Sequence, residues 1–312
     1  AQLAAGSSRS ATPALPPGDL VGTSADVGHR LRDGHRVEPS PDAWRDVAVA
    51  VVGGGVAGLV AAWRLVAAGL SDVAVLELEP APGGTARSGT SPVAGFPWGA
   101  HYIPAPFADN RALVALLDEM EVFEGRDEYG DPVVREEYLC RDPQERIFYR
   151  GRWYEGLYLA VGATAEDIRQ MEAFRAEMRR WNAWRDAKGR HAFAIPISAG
   201  SDDPEVRALD RVSMAEWLDA RGFDSPRLRW YVEYACRDDY GATLEQTSAW
   251  AGVFYFTSRV DEHGDDAQPL VTWPEGNGRI VNHLAARLGD RVRLGSAVCD
   301  VRPAGEGRDA RV

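Results

Sequence analysis

The stretch VAVAVVGGGVAGLVAAWRLVAAGL, residues 47–70, constrains the fold more than any other part of the chain. Its length and hydropathy match a bilayer span. Arg64 in its middle, the glycine run at 53–55 and the polar step Ser71-Asp72 before VAVLELE argue against that reading. A strand–turn–helix–strand unit accounts for every piece. Val47 to Val52 reads as a short buried parallel strand. Gly53, Gly55 and Gly58 then fit G-x-G-x-x-G at its end. The first glycine permits a sharp turn, the second lets backbone approach a pyrophosphate, and the third lets the next helix pack closely on the strand. That helix is predicted from about Val56 to Ala68, with Leu59, Trp63 and Val66 on one apolar face and Gly69 as its stop. A second strand follows from Val73 to Glu77.

Glu77 ends that strand 19 residues after Gly58. A carboxylate there accepts hydrogen bonds from adenosine ribose hydroxyls, while the phosphates gain from free N–H groups and the positive end of the helix dipole. The predicted nucleotide contacts are Gly53, Gly54, Gly55, Val56, Ala57, Gly58 and Glu77. The alternative is a βαβ unit that holds no nucleotide. The fingerprint alone does not separate FAD from NAD.

Composition narrows the partners. The 312 residues suffice for one large or two ordinary domains, and 45% apolar with 26% charged residues is the globular range. A net charge of −12 argues against a nucleic-acid binder, which needs a basic footprint. Cys140, Cys236 and Cys299 are too few and too scattered for a disulfide framework or a structural zinc site. No metal site, Ser-His-Asp set, HExxH or G-x-S-x-G is evident. Residues 1–20 hold no signal-like apolar run, and the chain opens on Ala1, so a processed chain or a fragment is expected. The compartment stays open between cytoplasmic and exported by an upstream signal.

The stretch LELEPAPGGTARSG, residues 76–89, places Gly83-Gly84 six and seven residues after Glu77. Here the chain resembles the flavin amine oxidase and phytoene desaturase superfamily. GFPWGAHYIP at 95–104 is similar to that family's segment beside the flavin ring, and TWPEGNGRIVNHLAARLGDRVRLGSAVCDVRP at 272–303 to its returning helix and strands. The phrases CRDDYG, TSAWAG and WPEGNG point to a bacterial subgroup of unassigned substrate. The resemblance implies FAD as cofactor and an α/β fold: a Rossmann-like FAD-binding domain with a parallel sheet, interrupted by a mixed α+β substrate domain. It extends the cofactor contacts to Leu78, Gly83, Gly84, Thr85, Arg87, Gly99, Ala100, His101 and Tyr102, and to Val298, whose backbone would meet the adenine. The implied limits are an extended arm at 1–45, the first FAD-binding part at 46–105, the substrate domain at 106–269 and the returning part at 270–312. Family members carry a further portion with the last flavin-binding motif, so a fragment would have an incomplete ring pocket.

The implied reaction is amine-oxidase-like hydride transfer from a substrate C–H to flavin N5, with the hard chemistry belonging to the cofactor. His101 is the candidate acid/base, against a structural histidine bonded to backbone. Arg237, Asp239 and Tyr240, with Asp238, and separately Trp273 are candidate substrate contacts. A helix-end ion-pair network is the alternative for the first group. Trp273, Glu275 and Asn277 precede the returning helix, where Gly276 and Gly278 read as backbone devices. The alternatives are a desaturase or isomerase of an apolar polyene on the same fold, and a non-catalytic nucleotide-binding protein. The expected partner is a small molecule, with a homo-oligomer possible and no transmembrane segment.

The intervening sequence reads mainly as helices. Asn110 is placed to cap one carrying Leu113, Leu116, Leu117 and Met120. Thr164 with Asp167 and Ser213 with Glu216 form capping boxes. Ile168, Met171, Phe174, Met178, Trp181 and Trp184 form one stripe of a long helix. Gly222 stops the helix after Ser213, and Ser225-Pro226 starts another bearing Leu228, Tyr231 and Val232. Turns at Asp142-Pro143 and Arg150-Gly151 separate short strands, and Arg30 to Arg36 reads as a solvated face.

Overall fold

Valine-rich segments on either side of the glycine run pair as parallel strands because a helix carries the chain back between them. The computed structural model describes residues 22–140, 145–258, 269–302 and 312. The chain divides into two compact units, Ala1–Arg87 with Ile280–Val312, and Ser88–Arg279.

In the first unit, β1 (Val49–Val52) leads into α2 (Val56–Ala67) and β2 (Val73–Leu76), after an exposed α1 (Ala25–Arg32). α9 (Gly278–Leu288) returns the chain to β12 (Val292–Arg293). The sheet order is β1-β2-β12 and both pairings are parallel, with Val49 opposite Val73 and Val292 opposite Val75. Leu59, Ala62 and Trp63 of α2, Val73 to Val75 of β2, and Ile280, Val281, Leu284 and Leu288 of α9 are buried. No helix among the described residues is long and apolar enough to cross a membrane.

The second unit combines small antiparallel sheets with a helical core. β3 (Ser88–Thr90) pairs β4 (Gly95–Pro97); β6 (Phe123–Arg126) pairs β7 (Pro132–Val134); β9 (Arg146–Tyr149) pairs β10 (Arg152–Glu155). β5 (Tyr102–Pro104), β11 (Leu270–Thr272) and β8 (Leu139–Cys140) form a three-stranded sheet with β11 central. The helices are α3 (Arg111–Glu119), α4 (Ala165–Ala183), α5 (Pro204–Ala208), α6 (Met214–Asp219), α7 (Pro226–Tyr240) and α8 (Ala249–Thr257). Phe174, Met178 and Trp181 of α4 pack with Trp217, Leu218, Leu228, Val232 and Val253 into one apolar core. Each removed nonpolar area contributes about 25 cal/mol per Å², so this aromatic-rich cluster dominates the unit's cohesion.

Both predicted capping boxes are formed: Thr164 with Asp167 and Ser213 with Glu216 exchange side-chain and backbone bonds in both directions. Ser225 caps α7 with Pro226 in its first turn.

Several expectations are corrected. The arm predicted as extended contains α1, whose Asp26 and terminal Arg30 and Arg32 complement the helix dipole although it buries nothing. Asn110 sits at the start of α3 without a side-chain capping bond. Ile168 is 48% exposed, because the buried face of α4 runs through Asp167, Gln170, Met171, Phe174, Met178 and Trp181 and position 168 lies to one side of it. The units part after Arg87 and before Ile280, not at 105/106 and 269/270. The reason is that β5 is bonded to β11, which draws residues 88–105 into the second unit. Arg150-Gly151 does form a turn, and the solvated face at Arg30–Arg36 is exposed apart from Leu31. The predicted Asp142-Pro143 turn and the first 21 residues of the arm lie outside the described residues.

Candidate functional site

The turn after β1 forms a cradle of backbone. Gly53 has φ +94°, a conformation reserved largely for glycine, and its N–H donates to the Leu76 carbonyl at 2.8 Å. A Cβ at position 58 would lie 2.0 Å from the Gly53 carbonyl oxygen, so only glycine lets α2 approach the turn. Gly55 is the N-cap of α2, and no side chain bonds the amides of the first turn. A Cβ on Gly55 would meet nothing within 4 Å. The N–H groups of Val56, Ala57 and Gly58 open this helix without intrahelical partners, as first-turn amides do.

Glu77 is buried at the mouth of this turn, 8% exposed. Its Oε2 accepts from the Gly54 N–H at 2.5 Å and its Oε1 from the Glu79 N–H at 2.8 Å. Each carboxylate oxygen has two lone pairs, so both keep one for a hydroxyl donor. A Cβ at position 54 would stand 2.9 Å from Oε2, so the middle glycine answers Glu77 and not a phosphate. The second glycine pair lies alongside: the Gly83 N–H donates to the Gly54 carbonyl at 2.8 Å, and a Cβ on Gly84 would be 3.6 Å from the Gly55 Cα. A first turn of α2 without a side-chain cap, a half-occupied carboxylate and space above Gly55 fit the ADP portion of a dinucleotide.

The neighbouring predicted residues are less uniform. Leu78 and Arg87 are half-buried and Thr85 is exposed. Glu79 accepts from the Ser24 N–H at 2.6 Å and Ser24 Oγ at 3.0 Å. The backbone bond from Ser24, above all, holds the Glu79 carboxyl below the usual range, and Arg87 adds to this. Sequence reasoning missed this tether; the Ser-Ala-Asp start of α1 was its one local sign. Val298 is corrected in place: the returning strand ends at Arg293, because Leu294 and Gly295 turn, with Gly295 at φ +63°. The Ser296 N–H then donates to the Glu77 carbonyl at 2.7 Å, and Val298 follows in irregular chain.

In the second unit the loop before β5 and the turn after β11 are locked together. Asn277 donates from its backbone N–H to the Ala100 carbonyl and from Nδ2 to the Tyr102 carbonyl, both at 3.1 Å. Thr272 Oγ1 donates to the His101 carbonyl at 2.6 Å. A Cβ on Gly276 would press within 3.0 Å of the Ala100 carbonyl oxygen and the His101 Cα. His101 is exposed, and its Nδ1–H donates to the Gly99 carbonyl at 3.2 Å, which leaves Nε2 as the accepting nitrogen. Trp273 is buried, 4% exposed, and neither its Nε1–H nor Asn277 Oδ1 has a partner among the described residues.

Arg237, Asp239 and Tyr240 lie at the end of α7. Arg237 bonds Glu233 one turn earlier, at 2.5 and 2.8 Å, and the Tyr240 hydroxyl donates to the Ala251 carbonyl at 2.9 Å. The Arg237–Glu233 pair is of the kind expected of a helix-end network. Among the described residues no cluster of His, Cys, Asp and Glu could hold a metal ion, and Cys140, Cys236 and Cys299 are unbridged.

Comparison with known proteins shows the family. Residues 56–312 match the family described as flavin containing amine oxidoreductase. A Mycobacterium tuberculosis protein named as a candidate flavin-containing monoamine oxidase, AofH, is 32% identical over 262 residues, covering 81% of this chain and 50% of that protein. Among solved structures, putrescine oxidase bound to putrescine shares 23% identity and a TM-score of 0.54 over 82% of this chain and 51% of that one. Cyclohexylamine oxidase from Brevibacterium oxydans gives 19% and 0.53 over 83% and 52%; a fatty acid isomerase from P. acnes gives 19% and 0.52 over 82% and 52%. The chain spans about half the length of these relatives. By the family match, the chain belongs to the flavin containing amine oxidoreductases.

Proposed function

We propose that this chain forms the ADP-binding part and the helical substrate-side unit of an FAD-dependent amine oxidoreductase, with a Rossmann-like first unit and small amines as substrates. The single observation that carries this reading is the Gly53–Gly58 turn with Glu77 at its mouth and no side-chain cap on the first turn of α2. Bound FAD would supply the acceptor for hydride leaving a substrate C–H.

The chain's own residues bind and orient. Amides at Gly55 to Gly58 would hold the diphosphate, and the remaining lone pairs of Glu77 would take the ribose hydroxyls. Gly83 and Gly84 support the cradle from the side, and the backbone near Val298 would serve the adenine. His101 offers Nε2 as a proton acceptor from a ring fixed by Gly99. Trp273 N–H and Asn277 Oδ1 offer a buried donor and acceptor to a bound group or an ordered water. The named monoamine oxidase relative favours amines over polyenes.

The test is the visible spectrum of the FAD-loaded protein under anaerobic conditions. Bleaching of the flavin bands by a primary amine supports the reading. Bands unmoved by amines but turnover of an unsaturated fatty acid supports the desaturase or isomerase alternative. Bands that no donor bleaches support a non-catalytic nucleotide-binding protein.

A further inference from the structure

We propose that a cavity between α4, α7 and α8 binds a small organic carboxylate whose apolar part is the size of one aromatic ring. The cavity measures about 190 Å³. A cavity of about 150 Å³ lined by apolar side chains accepts benzene, whereas drug-sized ligands occupy roughly 300 Å³ or more. One ring with a short acidic arm is therefore the scale.

Its apolar wall is fixed before any ligand arrives. Phe174 and Met178 of α4 are almost fully buried, and Tyr231 and Phe256 complete the lining from α7 and α8. Phe256 meets Phe174 edge-on at 5.1 Å and Tyr231 at 5.4 Å between ring centroids. Phe174 backs the wall at 1% exposure, and the half-buried rings of Tyr231 and Phe256 are those that present polarised edges and faces to a planar guest.

The rim is cationic in a chain of net charge −12. Arg175 and Arg179, one turn apart on α4, line the cavity with Asn182. Other arginines of these helices are matched: Arg169 with Glu166, Arg180 and Arg221 with Glu177, Arg229 with Asp219, Arg237 with Glu233. Arg175 and Arg179 have no carboxylate partner among the described residues. Like charges four apart on a helix repel, and an anion between them relieves that repulsion. The Tyr231 hydroxyl also has no hydrogen-bond partner among the described residues. Burial raises its pKa, Arg175 opposes this and Glu145 adds to it, so a guanidinium and one carboxylate both lie within electrostatic reach of the phenol. Two guanidinium groups repel an ammonium, so this ligand differs in sign from an amine substrate.

The probe is phenylacetate, titrated calorimetrically into the chain with and without saturating FAD. Saturable one-to-one binding, unaffected by FAD, is expected. Arg175→Gln and Arg179→Gln sit at exposed positions and leave the fold intact; each is expected to weaken binding about tenfold, as loss of a charge-assisted bond does. Met178→Trp fills the space with both arginines retained and is expected to abolish binding. Phenethylamine, with the same ring and the opposite charge, is expected not to compete. The proposal is overturned by absence of saturable binding, by equal affinity in the double arginine variant, by competition from phenethylamine, or by decanoate binding more tightly than phenylacetate. Failure of FAD to bind with phenylacetate still bound would count against the flavin reading alone.

Discussion

The Gly54 amide and the Glu77 carboxylate close the mouth of the first turn with a 2.5 Å bond between residues 23 apart in sequence. The contact works only without a side chain at 54, where a Cβ would stand 2.9 Å from Oε2. The turn geometry is thereby set by one pair, on which the proposed nucleotide contact would also rest. Glu77→Gln removes the charge that strengthens this bond and would strengthen the proposed bonds to ribose, and Gly54→Ala pushes the carboxylate away. Each change is expected to weaken FAD binding about tenfold or more, the worth of a charge-assisted hydrogen bond. Because both act through one contact, the double variant is expected to fall well short of the summed loss. Fluorescence titration of FAD into the three variants checks this.

Gly58 has a structural duty. Its replacement by alanine sets a Cβ 2.0 Å from the Gly53 carbonyl oxygen, and backbone cannot step aside cheaply. Gly58→Ala is expected to cost roughly 1–3 kcal/mol of stability, the range for overpacking. Urea denaturation followed by circular dichroism measures it. An unchanged midpoint would show that α2 can shift from the turn.

Asp167 couples the start of α4 to α7. Its carboxylate accepts from Ser225 Oγ at 2.6 Å and from the Thr164 N–H and hydroxyl at 2.8 Å. Those bonds, that from Ser225 foremost, lower its pKa from 3.8 to about 2. A depressed folded-state pKa stabilises the protein above the unfolded value and loses that contribution as pH falls through the folded one. Stability is therefore expected to decline between about pH 4 and pH 2 through this group, and Asp167→Asn is expected to flatten that part of the profile. Urea midpoints across the acid range provide the check.

The elements most legible in the sequence are those whose causes are local. The order of strand, glycines, helix and strand from Val49 to Leu76 follows from apolar period and glycine placement. The boxes at Thr164 and Ser213 follow from residue types three apart. What was not legible depends on distant partners. Tyr102 pairs with Thr272, a relation no local pattern contains, and it moved the limit between the units. The strand expected at Val298 was ended by the Gly295 turn. At Arg237 and Tyr240 the residue types suit a ligand and a helix-end network equally, and the bonds to Glu233 and to the Ala251 carbonyl depend on partners that the pattern does not name.

α1 buries no residue, so its tether should reside in Ser24 and Glu79. Glu79→Ala removes both acceptors and is expected to speed proteolysis within residues 22–45 while leaving the rest of the digestion pattern unchanged. Timed limited proteolysis reads this. Cleavage at the parental rate would show that other contacts hold α1.

The most direct test of the cradle is calorimetric titration of FAD into Gly55→Ala. A Cβ at that position meets no protein atom within 4 Å, so the melting temperature should stay at the parental value. The same methyl group would occupy the space assigned to the diphosphate, so FAD affinity should drop by about tenfold or more, by the energy of a lost charge-assisted contact. Parental FAD affinity in a normally folded Gly55→Ala protein would contradict the account.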